Sequence, residues 1–269
     1  ASGFKGSTHE ATLHFLNYAA THPDAKVIYR ASDMILHVDS DAAYLVCPGA
    51  RSRAGGYHYL SDKGNTVHNG PVFVLAKTVK NVMSSAAVAE TGALFMNAQD
   101  ALPIRQCLID LGHPQPPTPI KTDNSTAKGY IDGTIKQKMS KSWDMRFRWL
   151  KNREAQHHFK VSWEPGKNNL ADYVTKHHTA AHHRQVRPIY IYDKERSPKT
   201  VQGCIEILSK GPPKVQSRSS PTTKSTPTTP DVGLNVLPLT NFIASACTPH
   251  DPTGSILKRC RITTHTRVW

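Results

Sequence analysis

The chain has 269 residues, with 34 Lys+Arg against 20 Asp+Glu and a formal charge of +14, an excess that points to an acidic partner, nucleic acid first. No apolar run reaches the roughly 18 residues of a membrane span, and no secretory leader is evident at the start. The five cysteines, Cys47, Cys107, Cys204, Cys247 and Cys260, are too scattered for a disulfide scaffold or a zinc knuckle, so an intracellular, cytoplasmic or nuclear setting without a membrane partner is expected.

In chain order, Leu13, Leu16 and Ala20 predict a helix over 9–21. Residues 33–46, 55–60 and 71–79 are β-branched and apolar runs, the last two separated by Asp62-Lys63-Gly64-Asn65, and they predict a three-strand meander. A helix over 83–111 follows. Ser84 and Ser85 are natural N-caps and Ala86, Ala87, Ala89 and Ala93 favour the helix, while Pro103 is expected to kink or restart it and Gly112-His113-Pro114 to end it. Then come a strand at 119–123, a helix at 125–131, a helix at 140–155 with Trp143, Phe147 and Leu150 on one face, a strand at 159–165 and a last helix over 168–176. This order predicts an α/β fold with a mixed five-stranded sheet flanked by helices, antiparallel on one side and joined by helical crossovers on the other. Residues 181–269 are expected to form a largely disordered basic tail. Its Pro/Ser/Thr/Lys-rich stretch 210–230 lacks the apolar surface to offset the entropy of ordering.

The informative residues are four acids in small or apolar neighbourhoods. Asp41 lies on the first strand, Glu90 in the alanine-rich helix, Asp123 at the end of the fourth strand and Asp172 in the last helix. Asp39 competes with Asp41 for the first position. An unpaired buried carboxylate is costly, and converging carboxylates hold protons at neutral pH. A pair of divalent cations removes both penalties. Oxygen ligands select Mg²⁺, with Mn²⁺ as a substitute, and two such ions about 4 Å apart suit phosphodiester cleavage.

The local motifs resemble the ribonuclease H domain at the C-terminal end of copia-type retrotransposon reverse transcriptases. The matching pieces, over about residues 10–180, are Ser40-Asp41-Ala42, Arg51-Ser52-Arg53-Ala54-Gly55-Gly56-Tyr57, Ser84-Ser85…Ala89-Glu90, Thr122-Asp123-Asn124-Ser125-Thr126-Ala127, Lys141-Ser142-Trp143-Asp144-Met145-Arg146-Phe147 and Leu170-Ala171-Asp172-Tyr173-Val174-Thr175-Lys176. The step from Asp41 to Tyr57 favours Asp41 over Asp39. Residues 1–30 look like the segment that connects the domain to a polymerase, and 31–180 like the ribonuclease H domain itself. No Tyr-x-Asp-Asp polymerase signature occurs in the sequence.

The resemblance implies a Mg²⁺-dependent endonuclease, working with two ions, that cuts the RNA strand of an RNA/DNA hybrid and leaves a 3′-hydroxyl and a 5′-phosphate. By that likeness Asp41 bridges the two ions, Glu90 and Asp123 complete the site at the leaving group, and Asp172 helps to hold the ion that activates water. The polymerase domain of a reverse transcriptase would be its partner and a retrotransposon particle one of its settings. Many ribonucleases H carry a His in the loop before the last acid. Here that loop, residues 163–169, has none, which leaves the part to Lys167 or solvent.

For the hybrid, affinity comes from phosphate contacts. The basic stretch Lys136, Lys138, Lys141, Arg146, Arg148, Lys151 and Arg153 is the expected clamp, with Arg51 and Arg53 as further phosphate contacts. Ser85 and Asn124, beside two of the acids, are expected hydrogen-bond donors. The pairs His177-His178 and His182-His183 read as a solvated extension rather than a zinc site. The alternative function is a nucleic-acid-binding module of the same fold that has lost catalysis.

Overall fold

The computed structural model describes residues 6–134 and 141–210. Alternating side chains and tight turns give the three-strand meander β1 (Ile35–Cys47), β2 (Arg51–Ser61) and β3 (Pro71–Thr78). Helix α1 (Gly6–Thr21) precedes it. Ser85 caps α2 (Ala86–Asp110) by accepting the Val88 amide, 3.3 Å. There follow β4 (Thr118–Thr122), α3 (Ser125–Asp132), α4 (Lys141–Ala155), β5 (Phe159–Trp163), a 3₁₀ turn at Gly166–Asn168, α5 (Asp172–Thr175), α6 (Ala180–Tyr190) and α7 (Val201–Ser209). The sheet order is β3-β2-β1-β4-β5. β1–β2 and β2–β3 are antiparallel, β1–β4 and β4–β5 parallel, so the sheet is mixed and both faces are covered.

Period-two alternation sends one set of β1 side chains to each face. Leu36, Val38 and Ala42 pack with Leu94, Ala98, Ala89 and Ala93 of α2, and the same side holds Leu150, Phe159 and Val161. On the opposite face Tyr57 and Tyr59 of β2 meet Leu170, Val186, Ile189, Val201 and Cys204. Asp39 pairs with Tyr57 and Asp41 with Gly55, so both acids share the second face.

Gly55-Gly56 lets two elements close on β2 at once. A Cβ at Gly55 would lie 2.4 Å from the Thr175 side chain, and one at Gly56 would lie 1.7 Å from Asn97 Oδ1. Asn97 uses that space. Its amide donates to Ser40 Oγ (3.0 Å) and the Gly55 carbonyl (2.8 Å), and its Oδ1 accepts His58 Nε2 at 2.9 Å. This knot ties α2 to β1 and β2.

Four expectations need correction. Helix α2 runs unbroken through Pro103, whose missing N–H costs one helical hydrogen bond while packing holds the rest. The last helix expected over 168–176 is instead a 3₁₀ turn, an irregular Asn169-Leu170-Ala171 and the single turn α5. Its amides have other partners: Asp39 Oδ2 accepts Leu170 N (3.0 Å) and Asn169 Oδ1 accepts Ala171 N (2.9 Å).

The tail expected from residue 181 does not begin there. Residues 180–190 and 201–209 are helices capped by Thr179 and Thr200. Their periodic Val186, Ile189, Val201 and Cys204 bury against β2, a signal that the surrounding basic composition hides. Residues 211–269, with the Pro/Ser/Thr-rich stretch, lie outside the described residues. Nor does packing break at residue 30. Ile28 O accepts Gly70 N (3.0 Å), Lys26 O accepts Tyr192 N (2.8 Å) and Arg30 Nη1 donates to His68 O (2.7 Å).

Candidate metal centre

The parallel pairing of β1 with β4 runs Val38 to Ile120 and Asp39 to Lys121. Carried two places further, the register sets Asp41 beside Asp123, just past the end of β4. Glu90, in the second turn of α2, reaches the same point. One carboxylate oxygen each of Asp41, Glu90 and Asp123 lies within 4.8 Å of the others.

Asp41 is 2% exposed, and Thr175 Oγ1 donates to its Oδ2 at 2.6 Å. Burial pushes the Asp41 carboxyl up to about 6, with Asp172 and Asp123 pushing the same way against Thr175 and Lys176. Burial, then the charges of Asp41 and Asp123, pushes Glu90 up to about 9, while the Ala42 amide and Lys176 pull it down. Asp123 is raised by burial and by Asp172, against Lys176. These shifts are what carboxylates crowded together without enough countercharge must show.

Asp172, the first residue of α5, couples electrostatically to Asp41 and Asp123 but is not in the group of three. It is ion-paired with Lys176. Between the two β1 acids the structure separates the roles. Asp41 joins the carboxylate group, whereas Asp39 holds the Leu170 amide, and burial pushes it up to about 6.

The turn that carries Asp172 is fixed by partners distant in sequence. Besides Asp39–Leu170, Asn169 Nδ2 donates to Ser40 O at 2.8 Å. Asp123 is held by Trp163 Nε1, which donates to its carbonyl at 2.9 Å. The Trp163 ring is half exposed at the end of β5. Gly166 is required beside it, since a Cβ there would lie 2.6 Å from Asp123 Oδ2. Sequence reading missed Thr175, Lys176, Asn169, Trp163 and Gly166 as site residues. The available signal was local for Thr175 and Lys176, which follow Asp172 by three and four residues on one helical face.

The expected nucleic-acid contacts are dispersed. Ser85 caps α2. Asn124 caps α3 by accepting Thr126 N and Ala127 N, and its amide donates to Ala87 O at 3.1 Å. Arg51 is exposed at the start of β2. Arg53 lies two positions beyond Gly55, on the Asp41 face, with a buried Nη1 that no hydrogen bond satisfies. Arg146 sits over the Phe95 ring, 5.6 Å from its centroid, so its guanidinium faces α2. Arg148 is exposed and borders a groove with Trp149, Asn152, Arg153 and Gln156. Lys136 and Lys138 lie outside the described residues, as does the side chain of Lys141.

Lys167 is exposed on the 3₁₀ turn next to Gly166. His157 and His158 precede β5, at the opposite end of that strand from Asp123. The histidines after α5 are packed rather than solvated. His178 stacks on Tyr173 (5.1 Å) and on His182 (4.6 Å), and Tyr173 Oη lies 2.5 Å from His183 Nδ1.

The class thus defined is an α/β protein with an acidic centre where a mixed five-stranded sheet ends. No family model matches the chain, and no curated protein does. Solved structures are similar to it. The N-terminal RNase H domain of a Mycobacterium tuberculosis protein, solved as a maltose-binding-protein fusion, is 15% identical over 53% of this chain and 91% of that one, TM-score 0.39. LC11-RNase H1 in complex with an RNA/DNA hybrid is 15% identical over 52% of this chain and 92% of that one, TM-score 0.40. Prototype foamy virus protease-reverse transcriptase is 11% identical over 52% of this chain and 18% of that one, TM-score 0.33. Among the described residues no helix is long and apolar enough to cross a membrane.

Proposed function

We propose that the chain is a ribonuclease H: a Mg²⁺-dependent endonuclease that hydrolyses the RNA strand of RNA/DNA hybrids, as part of a copia-type retrotransposon reverse transcriptase. The observation that carries this reading is the convergence of Asp41, Glu90 and Asp123 from three separate elements at one point. The residues fit a divalent ion. All three are hard oxygen donors, and Glu90 Oε2 is buried with no hydrogen-bond partner, a cost that a cation would remove. Asp41, Glu90 and Asp123 would hold one ion, Asp41 and Asp172 a second. Bound there, two divalent ions lower the pKa of an attacking water and neutralise charge on the departing 3′ oxygen.

The protein's part is to orient. Thr175 fixes one oxygen of Asp41. Trp163 and Gly166 set the position of Asp123. Asp39 and Asn169 anchor the turn that delivers Asp172. Arg51, Arg53 and Arg148 are the described cations disposed for phosphate, with Lys138 and Lys141 assigned to the same clamp. Ser85 and Asn124 flank the acids. The motif run from Ser40 to Lys176 supports the retrotransposon origin and, with it, a polymerase partner and an intracellular setting.

The test is cleavage of an end-labelled RNA/DNA hybrid with Mg²⁺ or Mn²⁺, beside single-stranded RNA and duplex DNA, using the parent and Asp123→Asn. RNA-strand cuts confined to the hybrid and lost in the variant are expected. Equal cleavage by both proteins, or none by the parent, refutes the reading. The ion pair that engages Asp172 favours a second reading, a binding module without turnover. Salt-sensitive hybrid binding with no metal-dependent cleavage would establish it instead.

A further inference from the structure

Asp172 and Lys176 stand at either end of α5, and their side chains form an ion pair along one helical face. The same ammonium acts on Asp41, Glu90 and Asp123 as well. It is the positive charge that the whole carboxylate group shares. Asp172 is kept out of the group whose oxygens converge within 4.8 Å. Its Oδ1 is given to Lys176, a donor that offers no coordination site in return.

We propose that Lys176 is a resident counterion. It takes the place of the second metal ion and withholds Asp172 until a backbone phosphate of the bound strand draws the ammonium away. The inference rests on the function proposed above, and it names how that site is loaded.

The geometry allows the exchange. The Lys176 and Asp172 side chains are 47% and 34% exposed, so the ammonium swings on its flexible stem without unpacking the helix. Meanwhile Thr175 keeps α5 tied to Asp41. A phosphate is the natural new partner, because the hybrid brings a dense row of them to this face. Hybrid and second ion then help each other bind, and by linkage the help is equal in both directions. In the free protein the first ion, at Asp41, Glu90 and Asp123, binds regardless.

The test is Mn²⁺ binding to the full chain, followed by electron paramagnetic resonance and calorimetry, for the parent, Lys176→Met and Lys176→Arg. It is run without nucleic acid and with a hybrid whose RNA strand is 2′-fluoro-substituted and uncleavable. Without hybrid, Lys176→Met is expected to bind the second ion about fivefold more tightly than the parent, the value of one half-exposed ion pair. Lys176→Arg, which keeps the pair, should track the parent. Hybrid should tighten the second ion in the parent and in Lys176→Arg, and leave Lys176→Met unchanged. An unaltered first-ion affinity shows that the variants are folded. If Lys176→Met binds the second ion no tighter than the parent, or gains as much from hybrid, the proposal is overturned while the ribonuclease reading stands. A parent that neither binds Mn²⁺ nor cuts hybrid removes that reading, and this proposal with it.

Discussion

Glu90 offers the sharpest energetic test of the carboxylate centre. In the folded chain its carboxyl is pushed from an ordinary 4.5 up to about 9, by burial first and then by Asp41 and Asp123. A carboxyl raised in the folded state stabilises the protein fully below its unfolded value. That contribution is lost as pH rises from 4.5 toward 9, because the unfolded chain releases the proton first. The loss is about 1.4 kcal/mol per pH unit. Glu90→Gln keeps the shape and carries no proton to lose. Comparing the two proteins cancels the histidines and the other acids that titrate in the same range. In EDTA, the stability of Glu90→Gln relative to the parent should therefore grow by on the order of 4 kcal/mol between pH 5.5 and 8.5. Urea denaturation at half-unit pH steps measures it. Saturating Mg²⁺ should shrink the gap most at the alkaline end, where the ionised Glu90 is the ligand. Parallel stability curves for parent and Glu90→Gln across this range would refute the idea that Glu90 is crowded and uncompensated.

Three further outcomes follow from single contacts. Gly166→Ala places a Cβ 2.6 Å from Asp123 Oδ2; hybrid cleavage should fall about a hundredfold with little change in the urea midpoint, and unchanged cleavage would show that Asp123 need not be held there. Asn97→Ala removes the bonds to Ser40 and Gly55 and leaves the His58 ring N–H buried and unpaired, so stability should drop by about 3 kcal/mol in urea denaturation; a loss under about 1 kcal/mol would count against the knot. The His58 ring, wholly buried, is lowered from 6.5 to about 4 by burial, against the pull of its bond to Asn97. A nuclear magnetic resonance titration should find it neutral at pH 5.5, and protonation near 6.5 would show that the ring reaches solvent.

Much of the architecture could be read along the chain because its causes are local. Ser85 was recognisable as a cap, the meander strands by their β-branched runs and turn residues, and the crossover strands by the helices between them. The acids stood out because each sits among small or apolar neighbours. The exceptions were places where tertiary partners outbid local preference. Asp39 and Asn169 satisfy amides that a helix over 168–176 would have claimed. Val186, Ile189, Val201 and Cys204 bury two helices inside a stretch whose basic composition reads as tail.

The amino-acid sequence by itself determined which segments are strands and helices, and which carboxylates lie at their ends, because periodicity, capping and turn chemistry act over a few residues. Only the tertiary structure decided that Asp41, rather than Asp39, meets Glu90 and Asp123. It also decided that Thr175 reaches Asp41 across 134 residues and that Asp172 is engaged by Lys176. Those outcomes depend on the strand order β3-β2-β1-β4-β5 and its register, which bring residues far apart in sequence to one spot through hydrogen bonds that no short stretch specifies.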